Sequence, residues 1–236
     1  MIRGLRTILP VDSVNGGRGN MARINYDAQL KELKNQMLLL GTMIEEVMKD
    51  TILALANKDE KKAKEITSGD DKIDNQVRRI TQECYTILLR QQPVAKDLRS
   101  VSAALKMVTD MERIGDHGAD ISELTILMGS RPYPDSIKLI EEMSKVTTEM
   151  LIWAVDAFAE DNMDKANEVI AKDDEVDELF LKVKDSIADC IKKGNTNANQ
   201  ELDLLMVAKY FERIGDHATN IAEWVLFSLT GTLPKD

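Results

Sequence analysis

One hexapeptide, Glu-Arg-Ile-Gly-Asp-His, occurs twice in the chain, at residues 112–117 and again, 100 residues later, at residues 212–217. Identity over six residues, at a spacing close to a common domain size, indicates an internal duplication. The upstream sequence repeats as well, since Asp-Asp-Lys-Ile-Asp at 70–74 corresponds to Asp-Asp-Glu-Val-Asp at 173–177. We therefore expect two units of the same design in tandem, residues 21–130 and residues 131–236.

Apolar residues follow a helical period in both copies. In the first predicted helix they alternate spacings of three and four: Leu30, Leu33, Met37, Leu40, Ile44 and Val47. Aromatic residues make up only 4% of the chain, and the prolines lie at the termini and junctions. We predict six long helices, at about 26–57, 59–90, 93–128, 137–158, 163–193 and 200–229. Because short loops make successive helices antiparallel, the predicted fold is all-α, with two tandem antiparallel three-helix bundles.

Charge and composition exclude several classes of protein. The net charge of −10 argues against nucleic-acid binding, which needs a basic surface. Cys84 and Cys190 are far apart in helical segments and fit buried, reduced thiols. Apolar stretches all fall short of the roughly 20 residues that span a bilayer. Residues 1–20 lack the apolar segment of a secretion signal. They hold Pro10, Gly16, Gly17 and Gly19, so we expect a disordered extension there, and we expect the natural start at Met21.

Paired carboxylates four residues apart are the most specific chemical feature of the repeat. The pairs are Asp70 with Asp74, Glu112 with Asp116, Asp173 with Asp177, and Glu212 with Asp216. Residues at this spacing are neighbours on a helix, about 5–6 Å apart at Cβ, where like charges repel. The second and third helices of each bundle lie side by side, so their pairs can converge on one surface groove. Asp120 and Glu123 extend the third-helix stripe.

An all-oxygen groove suits hard cations such as Mg²⁺, Ca²⁺, Mn²⁺ or oxidised iron, and it is unlike a structural zinc site. The alternative is a solvated acidic face on an acidic protein. His117 and His217 occupy the same motif position, where they could be rim ligands, cross-helix hydrogen-bond partners or packing residues. Gly115 and Gly215 cost helix propensity and predict a close backbone approach.

Signatures of catalysis are lacking in the sequence. It contains no nucleophile elbow and no phosphate-binding glycine loop. A ferritin-like di-iron enzyme needs a Glu three residues before each histidine, but those positions hold Ile114 and Ile214. We therefore predict a protein that is not an enzyme.

These motifs resemble the PhoU family of phosphate-uptake regulators over essentially all of residues 21–229. The resemblance rests on the twin Glu-Arg-Ile-Gly-Asp motifs, the Arg-Gln-Gln-Pro junction at 90–93 followed by Asp-Leu-Arg at 97–99, and the Asp-Asp-x-x-Asp segments. It implies that the carboxylate pairs hold multinuclear metal clusters on the surface. Iron is expected first, with zinc, manganese or magnesium as alternatives.

The same resemblance implies a cytoplasmic negative regulator. Its expected partners are the ATPase and permease of the phosphate ABC transporter and the phosphate-sensing histidine kinase, with a homodimer and only peripheral membrane association. One departure is Asn220, which stands where the first copy has Asp120. The second metal site is therefore expected to differ from the first, with Asn220, Glu123, Glu223, His117 and His217 as further candidate ligands. The competing hypothesis is a helical scaffolding protein whose acidic faces hold no functional metal.

Overall fold

The computed structural model of the chain describes residues 15–69, 71–91, 93, 95–134, 136–194 and 197–232, with side chains described from Tyr26 onward. Within these residues every regular element is an α-helix. The helices are α1 (Asn15–Asn57), α2 (Glu60–Thr67), α3 (Asp71–Gln91), α4 (Lys96–Met128), α5 (Ile137–Glu160), α6 (Met163–Lys193) and α7 (Ala198–Thr230). The predicted all-α fold class is confirmed.

The N-terminal helix starts earlier than the sequence predicted. It begins at Asn15, so residues 15–20, which we expected to be disordered, are helical. The rest of that predicted extension, residues 1–14, lies outside the described residues. The bounds of α5, α6 and α7 agree with the prediction to within about two residues, the usual uncertainty of a helix end.

The predicted helix at 59–90 is in fact two helices, α2 and α3, whereas its counterpart α6 is continuous. The repeat alignment explains the difference. Thr-Ser-Gly at 67–69 stands where the second copy has Ile-Ala-Lys at 170–172. Glycine is a poor helix former, and the Ser68 hydroxyl donates to the Lys64 carbonyl oxygen at 2.8 Å, a local bond that competes with the helix ladder. The first copy therefore has a break just before its carboxylate pair.

The helices form two layers. One layer has the order α3, α4, α7, α6, and α1 and α5 pack side by side on it, with α2 against α1 and α4. In the centre of the first layer α4 and α7 run antiparallel, since Arg99 Nε near the start of α4 donates to the Ser228 carbonyl oxygen near the end of α7, at 3.4 Å. In the other layer α1 and α5 are also antiparallel, since Lys34 reaches the Ala159 carbonyl oxygen at 3.2 Å.

The two halves share one hydrophobic core. A single cluster of buried side chains includes residues from both copies, among them Met37 and Met111 from the first and Phe158 and Phe211 from the second. The duplicated three-helix bundles are thus confirmed as a design, but they are packed face to face through the α1–α5 and α4–α7 pairs. Among the helices described, none is long and apolar enough to cross a membrane.

Candidate metal-binding grooves

The second-copy groove lies between α6 and α7. It brings Asp173 and Asp177 of α6 towards Asp216 of α7. In addition to burial, the charges of Asp216 and Asp177 raise the pKa of Asp173, and the charge of Asp177 also raises the pKa of Asp216. The helices approach closely because Gly215 has no side chain: a Cβ there would lie 3.3 Å from Asp173 Oδ1 and 3.4 Å from Val176 Cγ1. The close approach predicted from the motif glycine is confirmed here.

Negative charge in this groove is poorly compensated. Partial burial, followed by the charges of Asp216 and Asp177, raises the pKa of Asp173 from 3.8 to about 6. Burial and then the charge of Glu212 likewise raise the pKa of Asp216, although Lys209 opposes this rise. Lys209 is itself ion-paired with Glu212. The groove is therefore a place where a cation would relieve repulsion that the protein's own side chains leave in place.

The first-copy groove lies between α3 and α4 and is arranged differently. A Cβ at Gly115 would lie 3.1 Å from Ile73 Cδ1, so the motif glycine again permits a close approach. Asp74 forms an ion pair with Arg78 at 3.3 Å, and Asp116 forms one with Arg113 at 3.1 Å. These arginines lie on the same helices as their carboxylates, and they partly neutralise the groove.

Two further predicted ligands belong to this first-copy groove. Glu112 is partly buried on α4, one helical turn before Asp116. Asp70 lies outside the described residues. The predicted set of four carboxylates is therefore described only for Asp74, Glu112 and Asp116 in this copy.

A cavity of about 240 Å³ opens beside the first-copy groove, at the break between α2 and α3. Its lining includes Lys62, Lys72, Glu46, Gly69 and Gly115. Lys62 also forms an ion pair with Asp50, another lining residue, at 2.8 Å. The two copies of the repeat therefore present different surroundings to a cation, although their motifs are identical.

The two histidines are not placed in the carboxylate grooves. His117 of α4 and His217 of α7 meet at the contact between the two copies, with ring centroids 5.7 Å apart. His117 also lies against Tyr210, with ring centroids 5.2 Å apart. Only 9% of His117 is exposed, so its ring is packed within this contact. Of the roles left open by the sequence, packing fits the burial of His117 and cross-helix hydrogen bonding fits His217, while a ligand role stays a prediction.

Several of the other candidate ligands face the same contact between the copies. Asp120 Oδ2 lies 3.1 Å from His117 Nδ1. Asn220 donates from Nδ2 to Asp110 Oδ1 at 3.4 Å, so the residue that departs from the repeat faces α4. Glu123 is exposed on α4 near Tyr210, whose pKa is raised by burial first and then by Asp120, with a smaller contribution from Glu123. Glu223 is partly buried on α7.

Sequence reasoning missed Asp110, which joins the two copies. Its carboxylate oxygen Oδ1 lies 2.9 Å from His217 Nδ1. No repeat signal marks this residue, because the corresponding position of the second copy holds Tyr210. The available clue was the exchange of Asp110 for Tyr210 at equivalent positions. Asp110 contacts His217, and Tyr210 contacts His117.

The donor types in both grooves fit a hard cation. Carboxylate oxygens on neighbouring helices are the ligands that Mg²⁺, Mn²⁺ and oxidised iron accept. The described residues do not include three or more His, Cys, Asp or Glu side chains already arranged around one ion position. Metal binding stays a prediction, and it would require the described side chains to close on the ion. The predicted ligands are Asp70, Asp74, Glu112, Asp116, Asp120, Asp173, Asp177, Glu212 and Asp216.

Comparison with known proteins agrees with this architecture. The PhoU domain model matches residues 37–125 and 140–225, one match in each copy. A phosphate-specific transport system accessory protein PhoU homolog of Clostridium acetobutylicum is 35% identical over 212 residues, covering 89% of this chain and 97% of that protein. The Escherichia coli accessory protein PhoU is 28% identical over 206 residues, covering 87% and 86% of the two chains.

Solved structures give the same result. The crystal structure of PhoU from Pseudomonas aeruginosa superposes with a TM-score of 0.83 and 30% identity, covering 88% of this chain and 100% of that one. The phosphate transport system regulatory protein PhoU from Streptococcus pneumoniae also gives a TM-score of 0.83, with 27% identity and coverage of 89% and 99%. With a matching domain in each copy and the duplicated all-helical fold, the chain belongs to the PhoU family.

Proposed function

We propose that this chain is an accessory regulator of a phosphate-specific transport system, and that it binds metal through its two carboxylate grooves. Family membership and the names of its relatives support the accessory role. In the proposed role it lowers both phosphate uptake and the phosphate-starvation response when phosphate is plentiful. The assignment is regulatory and not enzymatic, in keeping with the family.

The observation that carries the metal proposal is that burial and neighbouring carboxylates together disfavour the charged forms of Asp173 and Asp216 in the α6–α7 groove. Asp173 has a pKa of about 6, chiefly through burial and then through Asp216 and Asp177. A bound cation would replace water around these oxygens and favour their charged forms, which the protein alone disfavours. Asp216 and Asp173 would be the central ligands, with Glu212 and Asp177 beside them. Iron is the first candidate, followed by zinc, manganese or magnesium.

The proposed partners are the ATPase and permease of the phosphate ABC transporter and the phosphate-sensing histidine kinase. The layer of α3, α4, α7 and α6 offers a long helical surface for such contacts. That surface carries exposed apolar side chains, such as Leu202 at 52% and Met206 at 47% on α7. We further propose a cytoplasmic location, a homodimer and only peripheral association with the membrane.

Elemental analysis tests the metal proposal directly. Full-length protein purified without added metal is compared with the double variant Asp116→Asn/Asp216→Asn and with Asp185→Asn, an exposed α6 residue that controls for lost charge. We expect the double variant to lose most of the bound metal with helicity unchanged, and the control to keep it. Equal metal content in all three proteins would favour the scaffolding alternative with solvated acidic faces.

A pull-down tests the regulatory proposal. The tagged chain is recovered from native lysates of cells grown at high and at low phosphate, and captured proteins are identified by mass spectrometry. We expect transporter or kinase components at high phosphate, and fewer of them with the double variant if metal supports the contact. Recovery of neither component in either condition would overturn the regulatory role.

A further inference from the structure

Each copy of the repeat contributes one histidine to the contact between α4 and α7. His117 and His217 have ring centroids 5.7 Å apart and planes tilted by 35°. The two rings therefore form one cluster between the copies, although the repeat places each of them beside a different carboxylate groove.

Both rings are oriented by a carboxylate at Nδ1. His117 Nδ1 lies 3.1 Å from Asp120 Oδ2, and His217 Nδ1 lies 2.9 Å from Asp110 Oδ1. Asp110 and Asp120 are ten residues apart on α4, which is about 15 Å along the helix axis. The Nδ1 atoms are thus engaged by carboxylates at opposite ends of the cluster, and Nε2 is the second ring nitrogen of each histidine.

We propose that the Nε2 atoms of His117 and His217 bind a single borderline transition-metal ion, of the Cu²⁺ or Zn²⁺ class, between α4 and α7. Neutral imidazole is the protein ligand that these ions favour, and a ligating histidine commonly donates its other N–H to a carboxylate. Zn–N bonds are about 2.0–2.1 Å, so two Nε2 atoms that bind one ion must lie within about 4 Å of each other. Rings at the observed spacing meet this limit when the ring edges that carry Nε2 face each other.

This site differs in chemistry from the carboxylate grooves. It uses nitrogen donors, whereas the grooves offer oxygen donors to hard cations. Within the described residues no group of three or more His, Cys, Asp or Glu side chains is arranged around one ion, so the remaining coordination positions would be left to water. Because one ligand comes from each copy, the ion would join the two halves, and its binding does not depend on the metal sites of the proposed function.

Electron paramagnetic resonance of bound Cu²⁺ tests the proposal. Metal-free full-length protein at pH 7.5 receives one equivalent of Cu²⁺, and the spectrum is examined for ¹⁴N superhyperfine coupling. We expect coupling to two nitrogens in the wild-type protein and in Asp173→Asn, which removes a groove carboxylate on α6. The double variant His117→Gln/His217→Gln should lose the coupling and bind Cu²⁺ at least tenfold more weakly.

The single variant His217→Gln keeps the test informative, since this side chain is 24% exposed and its replacement disturbs packing less than that of His117. We expect it to leave coupling to at most one nitrogen, with helicity unchanged by circular dichroism. A wild-type spectrum without nitrogen coupling, or two-nitrogen coupling that survives in His217→Gln, would overturn the proposal. Loss of coupling in Asp173→Asn would also overturn it, by assigning the copper to the groove.

Discussion

Removing the charge of Asp216 should stabilise the metal-free protein, although the residue is a proposed ligand. The pKa of Asp173 rises from 3.8 to about 6 through burial first and Asp216 second. Each pKa unit corresponds to about 1.36 kcal/mol, so the ionised carboxylate lowers the free energy of unfolding by at most about 3 kcal/mol. The effect of the variant is smaller than this limit for two reasons. Water screens the charge of the partly exposed Asp173, and Asp173 would stay partly buried in the variant. We therefore expect Asp216→Asn to recover about 1 kcal/mol, or roughly 2–4 °C in Tm.

The pH dependence of the free energy of unfolding has a definite sign. A carboxyl whose pKa is higher in the folded state binds a proton on folding between pH 3.8 and about 6. Its contribution to stability is fully present below the lower value and is lost as the pH rises through the upper one. Asp216→Asn should thus gain most at pH 7.5 and least near pH 4.

Thermal unfolding followed at 222 nm measures this effect in the presence of EDTA, with Asp185→Asn as the control for one lost charge. Addition of Mn²⁺ should reverse the order. A ligand at 100 times its Kd stabilises by about 2.7 kcal/mol, and the variant would forgo that gain. A metal-free Asp216→Asn protein that melts no higher than Asp185→Asn at pH 7.5 would refute the argument.

Three other substitutions or modifications test the packing. Phe211→Ala should cost about 3–5 kcal/mol and lower Tm by roughly 10 °C in a thermal melt, because Phe211 is fully buried in the core, whereas a loss below 1 kcal/mol would contradict this. Gly118→Ala should lower the urea midpoint, because its Cβ would lie 3.0 Å from Val47 Cγ1. We expect the steric cost, about 1–3 kcal/mol, to outweigh the gain in helix propensity of about 1 kcal/mol. A raised midpoint would refute this prediction. Burial raises the pKa of the Cys84 thiol to about 12, so a thiol reagent at pH 8 should label the partly exposed Cys190 and leave native Cys84 unlabelled, as mass spectrometry would reveal.

The sequence predicted the helices well because each helix carries its own signal. Apolar spacing placed the buried face of α1 on Leu33, Met37 and Leu40, and all three are fully buried. The repeat does not indicate the break between α2 and α3, because the equivalent segment of the second copy is one continuous helix, α6. Thr-Ser-Gly at 67–69 carried the correct signal, and it favours a turn over a continuous helix.

The contact between the copies was not predictable from the repeat. Periodicity identifies which face of a helix is buried, but it does not say which helix covers that face. The sequence therefore relates His117 and His217 only as equivalent positions of the motif, whereas the structure places their rings 5.7 Å apart. For the same reason Asp110 received no role, although it contacts His217.

The contacts of the two histidines have a further consequence for how the protein arose and how it can be divided. His117 meets Tyr210 while His217 meets Asp110, so exchanging the copies maps one contact onto the other. This reciprocity is the pattern of an isologous dimer, here built within one polypeptide. A single half expressed alone would leave the apolar faces of α1 and α4 uncovered, and we expect it to bury them by pairing with a second copy of the same half. Fusion of the copies fixes the pairing at one to one and frees each partner to diverge, as Asp120 and Asn220 have done.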